Sequence, residues 1–335
     1  DGSRVFEERD VWGITDIGEG TKEEDEATIG KFGIGFKAVF GYTESPKIWS
    51  PGYSFEIKEL FLPYELDPPG DLGGRTRFQF PFNNSQKLPA TAYREILEGL
   101  QALPAQTLLF LRNIHSLEWS CDNGQCASLR RQEDGHRTFI QKHRGDDLLE
   151  EASFLVFTRE LPGHARQFVA LAYQLEPRKE EDAGAPRTNL ARKFRIVPAE
   201  RGTVSVYFVA EKENSNLRFH LHAPFVTGLD RASVKDVEAN LELHQALAAL
   251  AAESLQTIQE DGLLDMAFLA VPPNDQDDLG AAYAGIRTAI VEACQEHELL
   301  PTDEGGHATA GSLLSGPSLI RNVVTRRELP FFTGE

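Results

Sequence analysis

Cysteine is scarce in this 335-residue sequence, which has only three, at positions 121, 126 and 294. So small and odd a number excludes a disulfide framework of the kind that holds small secreted domains together. No apolar run approaches the roughly 18 residues of a membrane-spanning helix, and no basic flank leads into an apolar stretch at the start of the chain. We therefore expect a cytoplasmic protein with no membrane partner. The single methionine is Met266, so residue 1 is not a translational start, and we expect the chain to be part of a larger protein.

Positive charge is also in deficit. The chain has 34 Lys and Arg residues against 52 Asp and Glu residues, which gives a net charge of −18. A broad face for nucleic acid needs clustered cations that neutralise phosphates, so direct nucleic-acid binding is not expected, although a small basic pocket remains compatible. With 41% hydrophobic and 26% charged residues the composition is that of a globular protein. Its length predicts two domains or one large domain.

Three stretches have the apolar spacing that is typical of helices with one buried face. They run from about 233 to 260, from about 279 to 296 and, between two prolines, from about 91 to 103. Alternating stretches that are typical of strands lie between them, at 53–60, 76–82, 116–121, 153–160, 167–175, 203–210 and 217–222. Helices and strands occur in blocks without a regular βαβ rhythm, which predicts the α+β class.

Two pairs of metal-ligand residue types occur, and neither is sufficient for a site. A turn signal after Cys121 predicts a hairpin over 116–130 in which Cys121 and Cys126 are cross-strand neighbours. His220 and His222 alternate along a predicted strand and share a face. Because each pair lacks further ligands, no metal site is predicted.

Two polar segments interrupt the predicted elements. Residues 177–193 are rich in charge and are predicted to form a mobile loop. Residues 272–280 combine two prolines with acidic and amide side chains. They are predicted to be a linker before a last subdomain.

The densest signal is a glycine-rich stretch at residues 28–41, which reads T-I-G-K-F-G-I-G-F-K-A-V-F-G. Four of these fourteen residues are glycine, against 28 in the whole chain. Glycines at 30, 33 and 35 predict a tight loop that opens a helix, where backbone N–H groups can approach an anion without an obstructing Cβ. This is phosphate-binding chemistry. The spacing fits neither the P-loop nor the Rossmann fingerprint.

The segments around this stretch follow a recognisable order. An Asp-Gly pair at residues 1–2 is followed by a short helical segment, by D-I-G-E-G-T-K at 16–22, by an acidic segment at 23–26 and then by the glycine-rich stretch. This order resembles the GHKL nucleotide-binding fold of gyrase, the ninety-kilodalton heat-shock chaperone, histidine kinases and MutL. The branch containing sacsin and related bacterial proteins is most similar. In that branch G-x-F-G-x-G-F-K precedes a P-x-I-x-S strand, which here is P-K-I-W-S at 46–50.

The resemblance implies that ATP, with Mg²⁺, lies on a twisted antiparallel sheet beneath helices, and that residues about 18–29 form a lid. Asp1, or the residue before it, corresponds to the carboxylate whose oxygen accepts from the exocyclic amine of adenine. Lys22 and Lys37 are candidates for the phosphates, and either also fits as an exposed surface lysine. The nucleotide-binding residues that the resemblance implies are Asp1, Gly20, Thr21, Lys22, Gly30, Phe32, Gly33, Ile34, Gly35 and Lys37.

No catalytic residue is assigned within the chain. In the family, a helix before the Asp-Gly turn supplies the glutamate that activates water and the asparagine that holds magnesium. The resemblance therefore implies a general base ahead of Asp1, and whether the protein hydrolyses ATP stays open. Four carboxylates lie near the glycine-rich stretch and are predicted to be solvated surface charges: Glu7, Glu8, Glu19 and Asp25.

The rest of the chain resembles the transducer-type middle domain that these proteins place after the nucleotide fold. Residues 103–114 correspond to its entry, and 219–234 to the segment in which an arginine of the chaperone reaches the terminal phosphate. On this analogy Arg231 senses the γ-phosphate, since an always-charged guanidinium suits phosphate oxygens. A surface position at the start of a helix is the other interpretation. The predicted domains are an N-terminally incomplete GHKL domain over 1–88, a middle domain over 89–271 and a small C-terminal subdomain over 272–335.

These features together predict a nucleotide-driven conformational switch within a larger chaperone-like or defence-type ATPase. Its expected partners are ATP and other protein segments or chains of a larger assembly, with a homodimer as one form. Two alternatives remain. One is a GHKL-fold scaffold that binds proteins without hydrolysing ATP. The other is a DNA-processing ATPase similar to MutL or gyrase, whose DNA-binding parts would lie outside this chain.

Overall fold

The computed structural model describes residues 5–15, 34–68, 70–122, 124, 126–163, 167–178, 188–228, 231–302 and 305–313. These residues form helices and mainly antiparallel strands, so the predicted α+β class is confirmed. The chain divides into two units. Unit 1 comprises Asp1–Arg131, Ile140–Glu151 and Glu160–Phe168, and unit 2 comprises Gln132–Phe139, Ala152–Arg159 and Val169–Glu335. The domain boundaries at 88/89 and 271/272 stay predictions.

Unit 1 contains a four-stranded antiparallel sheet. The elements in this part of the chain are α1 (Glu8–Thr15), α2 (Ile34–Lys37), a 3₁₀ turn (Ala38–Gly41), β1 (Lys47–Ser50), β2 (Tyr53–Lys58), β3 (Leu62–Glu65) and β4 (Arg77–Gln79). The strand order is β3-β2-β1-β4. The turn between β1 and β2 uses Gly52 at φ +92°, a conformation that favours glycine. Ile48, Phe55 and Ile57 form the buried core of this sheet.

Helix α3 (Pro89–Ala102) follows and confirms the helix predicted over 91–103. Pro89 occupies the first turn, where its missing N–H has no intrahelical partner to lose. The helix ends just before Pro104, because a residue preceding proline disfavours helical backbone. At that end the Lys142 Nζ donates to the carbonyl oxygens of Gln101 and Leu103, at 2.7 and 2.9 Å. A cation in this place also suits the negative end of the helix dipole.

The second sheet has nine strands in the order β12-β11-β13-β9-β8-β7-β6-β5, with β10 paired to β9. Strand β9 is buried almost throughout, as in strands covered on both faces. Helix α4 (Asn189–Lys193) precedes β10, and its N-cap is the Thr188 hydroxyl, which accepts from the Ala191 amide. The strands are β5 (Ser116–Ser120), β6 (Cys126–Asp134), β7 (Arg137–Arg144), β8 (Asp147–Glu160), β9 (Phe168–Pro177), β10 (Phe194–Val197), β11 (Val204–Val206), β12 (Phe208–Val209) and β13 (His220–His222).

Unit 2 continues with two helices that pack against each other, α5 (Glu238–Glu260) and α6 (Ala284–Glu296), and with a small hairpin of β14 (Leu300–Pro301) and β15 (His307–Ala308). Leu243, Leu247 and Leu250 lie on the buried face of α5, at the spacings of four and three residues that place side chains on one face of a helix. Both predicted helices are confirmed, and each begins about five residues later than expected. Over the described residues, no helix combines the length and apolarity that a membrane span requires.

Two local predictions were wrong. The strand predicted over 203–210 is interrupted at Tyr207, whose φ of +66° ends β11 and starts β12. Cys121 and Cys126 are not paired, because the register of β5 and β6 sets Cys126 opposite Ser120. The linker over 272–280 stays a prediction, and Asp277 within it accepts two hydrogen bonds from the guanidinium of Arg218.

The loop predicted over 177–193 is also narrower than expected. Strand β9 extends to Pro177, and α4 occupies the last five residues of the predicted loop. Residues 179–187 lie outside the described residues.

Candidate functional site

Most of the predicted nucleotide-binding residues lie outside the described residues. These are Asp1, Gly20, Thr21, Lys22, Gly30, Phe32 and Gly33, and the predicted lid with Glu19 and Asp25 lies outside as well. Ile34 and Gly35 open α2, so a helix does follow the glycine loop in sequence. Glu7 and Glu8 are exposed, as expected of solvated charges.

Aromatic side chains attach α2 and the turn after it to the first sheet. Phe36 and Phe40 pack against the buried core of that sheet. The Phe36 ring also lies 6.3 Å from the ring of Phe78 and 6.3 Å from that of Phe80, measured between centroids. Contacts of this kind add to the burial of the rings themselves. The C-terminal end of the glycine-rich stretch is therefore anchored in unit 1.

Lys37 is held by backbone oxygens. Its Nζ donates to the carbonyl of Ile14, near the end of α1, at 2.8 Å, and to the carbonyl of Leu60, in the turn before β3, at 2.6 Å. The Nζ also lies 5.9 Å from the centre of the Phe40 ring. Each oxygen belongs to a residue 23 positions away, so no local pattern could have indicated this structural role. A phosphate contact by Lys37 stays a prediction.

The predicted P-x-I-x-S strand is β1, an inner strand of the first sheet. The Oγ of its last residue, Ser50, accepts from the amide of Phe6 at 3.0 Å and lies 2.9 Å from the Oγ1 of Thr76. Trp49 donates its indole N–H to the carbonyl of Asp67 at 3.3 Å. The motif thus ties three separate segments of unit 1 together.

Arg231 lies in unit 2, in one of two short stretches that contact each other, residues 226–228 and 231–237, which we call the Arg231 loop. An isolated bridge joins Thr227 to Val234, and the amide of Lys235 donates to the carbonyl of Val226 at 2.9 Å. Arg231 is half-buried and has a left-handed backbone with φ +54°. Residues 229 and 230 lie outside the described residues. The other sequence interpretation of Arg231, a helix-start position, is wrong, because α5 begins seven residues later.

Asn240 closes the base of the Arg231 loop. Its side chain is 2% exposed and lies in the first turn of α5. The Oδ1 accepts from the amide of Val226 at 2.8 Å, and the Nδ2 donates to the carbonyls of Val226 and Lys235 at 3.0 and 2.7 Å. Both strands of the loop are thus fixed to the helix. The sequence offered only a weak signal for this role, a polar residue on the buried face of a predicted helix.

Glu213 holds the far strand of the same loop. Its Oε2 accepts from the amide of Val234 at 2.9 Å, and its Oε1 accepts from the hydroxyl of Tyr283 at 2.9 Å. Tyr283 is 2% exposed and immediately precedes α6. Burial is the main cause that raises the pKa of the Tyr283 hydroxyl above its usual range, and the bond to Glu213 adds to it. The hydroxyl therefore stays a donor at neutral pH.

The two histidines of β13 have structural partners. The Nδ1 of His220 lies 2.8 Å from the Oγ1 of Thr203, and the Nδ1 of His222 accepts from the amide of Tyr207 at 3.2 Å. Burial disfavours the charged imidazolium and lowers the pKa of His220 to about 4. In the part of the chain that the structure describes, no three His, Cys, Asp or Glu side chains are grouped as metal ligands.

A shallow groove lies in unit 1 beside α3. The Cys121 thiol on its wall is hydrogen-bonded to Tyr93, a contact that raises the pKa of the Tyr93 hydroxyl. Lys142 on its wall already donates to the carbonyls of Gln101 and Leu103 at the C-terminal end of α3. The lining residues are Leu97, Gln101, Trp119, Cys121, Cys126, Ala127, Lys142, Arg144 and Leu149.

Comparison with known proteins gives two findings, both for a small share of the chain. The family model described as the Sacsin domain matches residues 2–59. Protein NO VEIN of Arabidopsis thaliana is 38% identical over 72 residues, which are 20% of this chain and 3% of that protein. The chain thus spans only a small part of the length of this curated relative. No solved structure matches. The N-terminal region is therefore similar to the Sacsin domain.

Proposed function

We propose that this chain is the nucleotide-binding, ATP-driven conformational switch of a larger sacsin-like assembly of the chaperone or defence type. One observation carries the proposal: the Sacsin-domain match over residues 2–59 contains the whole glycine-rich stretch 28–41. Glycines at 30, 33 and 35 let backbone N–H groups approach phosphate oxygens without an obstructing Cβ. ATP with Mg²⁺ is the proposed ligand, because magnesium offsets the phosphate charge in a protein of net charge −18.

The packing of α2 supports this role for the glycine loop. A binding loop needs at least one rigid support if its N–H groups are to stay oriented toward the ligand. Here Phe36 and Phe40 provide that support at the C-terminal end of the stretch, where they pack on the core of the first sheet. The loop that we propose for the phosphates thus leads directly into anchored backbone.

Arg231 is the proposed sensor of the terminal phosphate. Its left-handed backbone is uncommon for a residue with a side chain and persists only where the surroundings impose it, which is often the case at functional sites. In the proposed switch, ATP and ADP differ in whether this guanidinium has a phosphate partner. Hydrolysis is not required for switching, and a general base ahead of Asp1 would make the assembly an ATPase.

Calorimetric titration of the 335-residue chain with Mg-ATP tests the phosphate loop. We expect binding by the unaltered chain and at least a tenfold loss in the double variant Gly33→Val and Gly35→Val, because two branched side chains would block the approach of phosphate to the backbone. The matched control is Gly99→Val on α3, where an added Cβ meets no atom within 4 Å. It should bind as the unaltered chain does.

Two outcomes would contradict the proposal. Unchanged ATP affinity in the double variant would refute the phosphate-loop assignment. If the unaltered chain shows neither heat of binding nor a thermal shift with Mg-ATP, the switch is excluded, and the alternative of a GHKL-fold scaffold that binds proteins becomes the better explanation.

A further inference from the structure

One carboxylate joins the Arg231 loop to a helix distant from it in sequence. Glu213 accepts from the Val234 amide with one oxygen and from the Tyr283 hydroxyl with the other, each at 2.9 Å. Val234 lies three residues beyond Arg231, and Tyr283 immediately precedes α6. All of these residues belong to unit 2. The chain of contacts therefore runs from α6 through Glu213 to the strand that follows Arg231.

The surroundings of this connection make it costly to break. Tyr283 is 2% exposed, and its ring packs edge-to-face on His244 of α5, with 5.1 Å between centroids. Hydrogen bonds that a carboxylate accepts are stronger than neutral ones. A buried hydroxyl that loses its acceptor keeps its desolvation penalty. The arrangement in which the Glu213 carboxylate accepts from the Tyr283 hydroxyl is therefore more stable than one in which this hydroxyl is buried without an acceptor.

The Glu213 contact differs in position from the other anchor of the loop. Asn240 fixes the base, at Val226 and Lys235, which are several residues from Arg231 in sequence. Glu213 acts closer to the tip, and its neighbour Lys212 donates its amide to the carbonyl of Ala232 at 2.8 Å, directly beside Arg231. The segment 212–213 thus contacts both Tyr283, at the start of α6, and the residue that follows Arg231.

We infer that Glu213 and Tyr283 are positioning residues for Arg231, and that they couple the placement of α6 to the reading of the terminal phosphate of ATP. The phosphate part of this inference rests on the proposed function, whereas the holding of the loop does not. If α6 moves away, Glu213 loses Tyr283, and the strand after Arg231 loses its fixed acceptor. A partner that binds the C-terminal part of the chain and moves α6 can in this way change the preference for ATP over ADP.

Hydrogen exchange in the nucleotide-free chain tests whether the pair holds the loop. Tyr283→Phe removes one hydroxyl, and Glu213→Gln removes the charge. In both variants we expect exchange of the amides in 226–228 and 231–237 to become about fivefold faster, as the loss of roughly 1 kcal/mol predicts. The control is Tyr173→Phe, which also removes a buried hydroxyl of unit 2, one bound to the Ser254 Oγ at 2.9 Å. Exchange in both variants that matches the control would overturn the inference.

The ratio of ATP affinity to ADP affinity tests the coupling to phosphate. Arg231→Ala should abolish this preference, and Tyr283→Phe should lower it about fivefold with the ADP affinity unchanged. The double variant should lose no more than Arg231→Ala alone, since both changes act through one guanidinium. If Tyr283 had a purely structural role, Tyr283→Phe would lower the affinities for ATP and ADP by the same factor.

The failures of the two ideas are distinguishable. If Arg231→Ala lowers the preference for ATP while Tyr283→Phe and Glu213→Gln do not, the inference is overturned and the proposed function stands. If the unaltered chain binds no nucleotide, the proposed function fails and the coupling to phosphate falls with it. The exchange experiment still decides whether the pair holds the loop.

Discussion

At the scale of single residues, buried polar side chains organise backbone that is neither helix nor strand. The guanidinium of Arg131 is 5% exposed and donates to the carbonyls of Leu108, Leu111 and Arg112 in the irregular segment before β5. Asn240 does the same for the Arg231 loop. Buried carbonyls need partners of this kind, because without them each would retain the cost of leaving water. The conformation of these irregular segments therefore depends on hydrogen bonds from the side chains of Arg131 and Asn240.

His220 should make the protein less stable in mild acid. Its pKa is lowered to about 4 by burial, whereas in the unfolded chain the value is near 6.5. As the pH falls below 6.5, the unfolded chain takes up a proton that the folded protein cannot accept, so the free energy of unfolding decreases until the pH reaches about 4. We expect His220 to cost about 2 kcal/mol at pH 5 relative to pH 7. Urea unfolding at the two pH values measures the loss.

The control for this prediction is His220→Asn. The Asn side-chain oxygen can replace the Nδ1 acceptor that faces Thr203, and the amide does not titrate. The variant should lose less stability than the unaltered protein between pH 7 and pH 5. An equal loss in both proteins would show that other groups cause the acid sensitivity.

At the scale of elements, polar contacts decide where helices start and whether a segment is fixed. The periodicity of α5 would allow a helix from 233, but Asn240 and Glu213 hold the preceding residues in the Arg231 loop. The segment before α6 is fixed in a comparable way. Arg218 donates to both carboxylate oxygens of Asp277, at 2.8 and 2.5 Å, and the amide of Asn274 donates to the same carboxylate at 2.7 Å.

Asp277→Asn should therefore lower the stability of unit 2. The hydrogen bond from the backbone of Asn274 is the main cause that lowers the pKa of Asp277, and the contacts of Arg218 add to it. The carboxylate thus contributes stability above its unfolded pKa near 3.9, and this contribution is lost as the pH falls through its lower folded value. At pH 7 we expect a loss of roughly 1–2 kcal/mol in thermal unfolding.

Asp275→Asn is the matched control for this change. It removes the same charge from the same segment, and Asp275 is exposed, so its loss should be within about 0.5 kcal/mol. Equal effects of the two variants would mean that the net charge of the segment matters, and not the contact with Arg218.

At the scale of the whole molecule, the acidic balance limits what the chain can bind. A net charge of −18 repels polyanions over distances of about one Debye length, unless cations are concentrated on one surface. Arg159, Arg178 and Arg218 each form an ion pair with an acidic side chain of unit 2. These guanidinium groups are therefore partly neutralised, which favours a small ligand held by backbone groups over an extended nucleic acid.

We predict no binding of duplex DNA by the chain itself. At about 50 mM salt, the fluorescence anisotropy of a labelled duplex should stay constant up to roughly 10 µM protein, a range in which non-specific DNA-binding proteins already bind. Inclusion of Mg-ATP should not change this result. A rise in anisotropy that disappears with added salt would instead favour the DNA-processing alternative.

The sequence by itself determined the α+β class, the three long helices and the hairpin at 116–130. Each depends on the spacing of apolar residues or on a turn within a few positions, and local spacing sets which faces can be buried. The glycine-rich stretch and its likeness to the Sacsin domain were also readable from sequence, because a motif needs only its residue order. Most of the nucleotide residues that this likeness implies stay predictions.

Only the tertiary structure decided which polar groups meet. Lys37 reaches carbonyls 23 residues away on either side, and Glu213 joins the Arg231 loop to Tyr283, 70 residues further along the chain. The interruption of the strand at Tyr207 and the hydrogen bonds from Arg218 to Asp277 were likewise visible only in the tertiary structure. The physical reason is that a hydrogen bond depends on the distance and direction between two groups. For groups far apart in sequence, the packing of whole elements sets both.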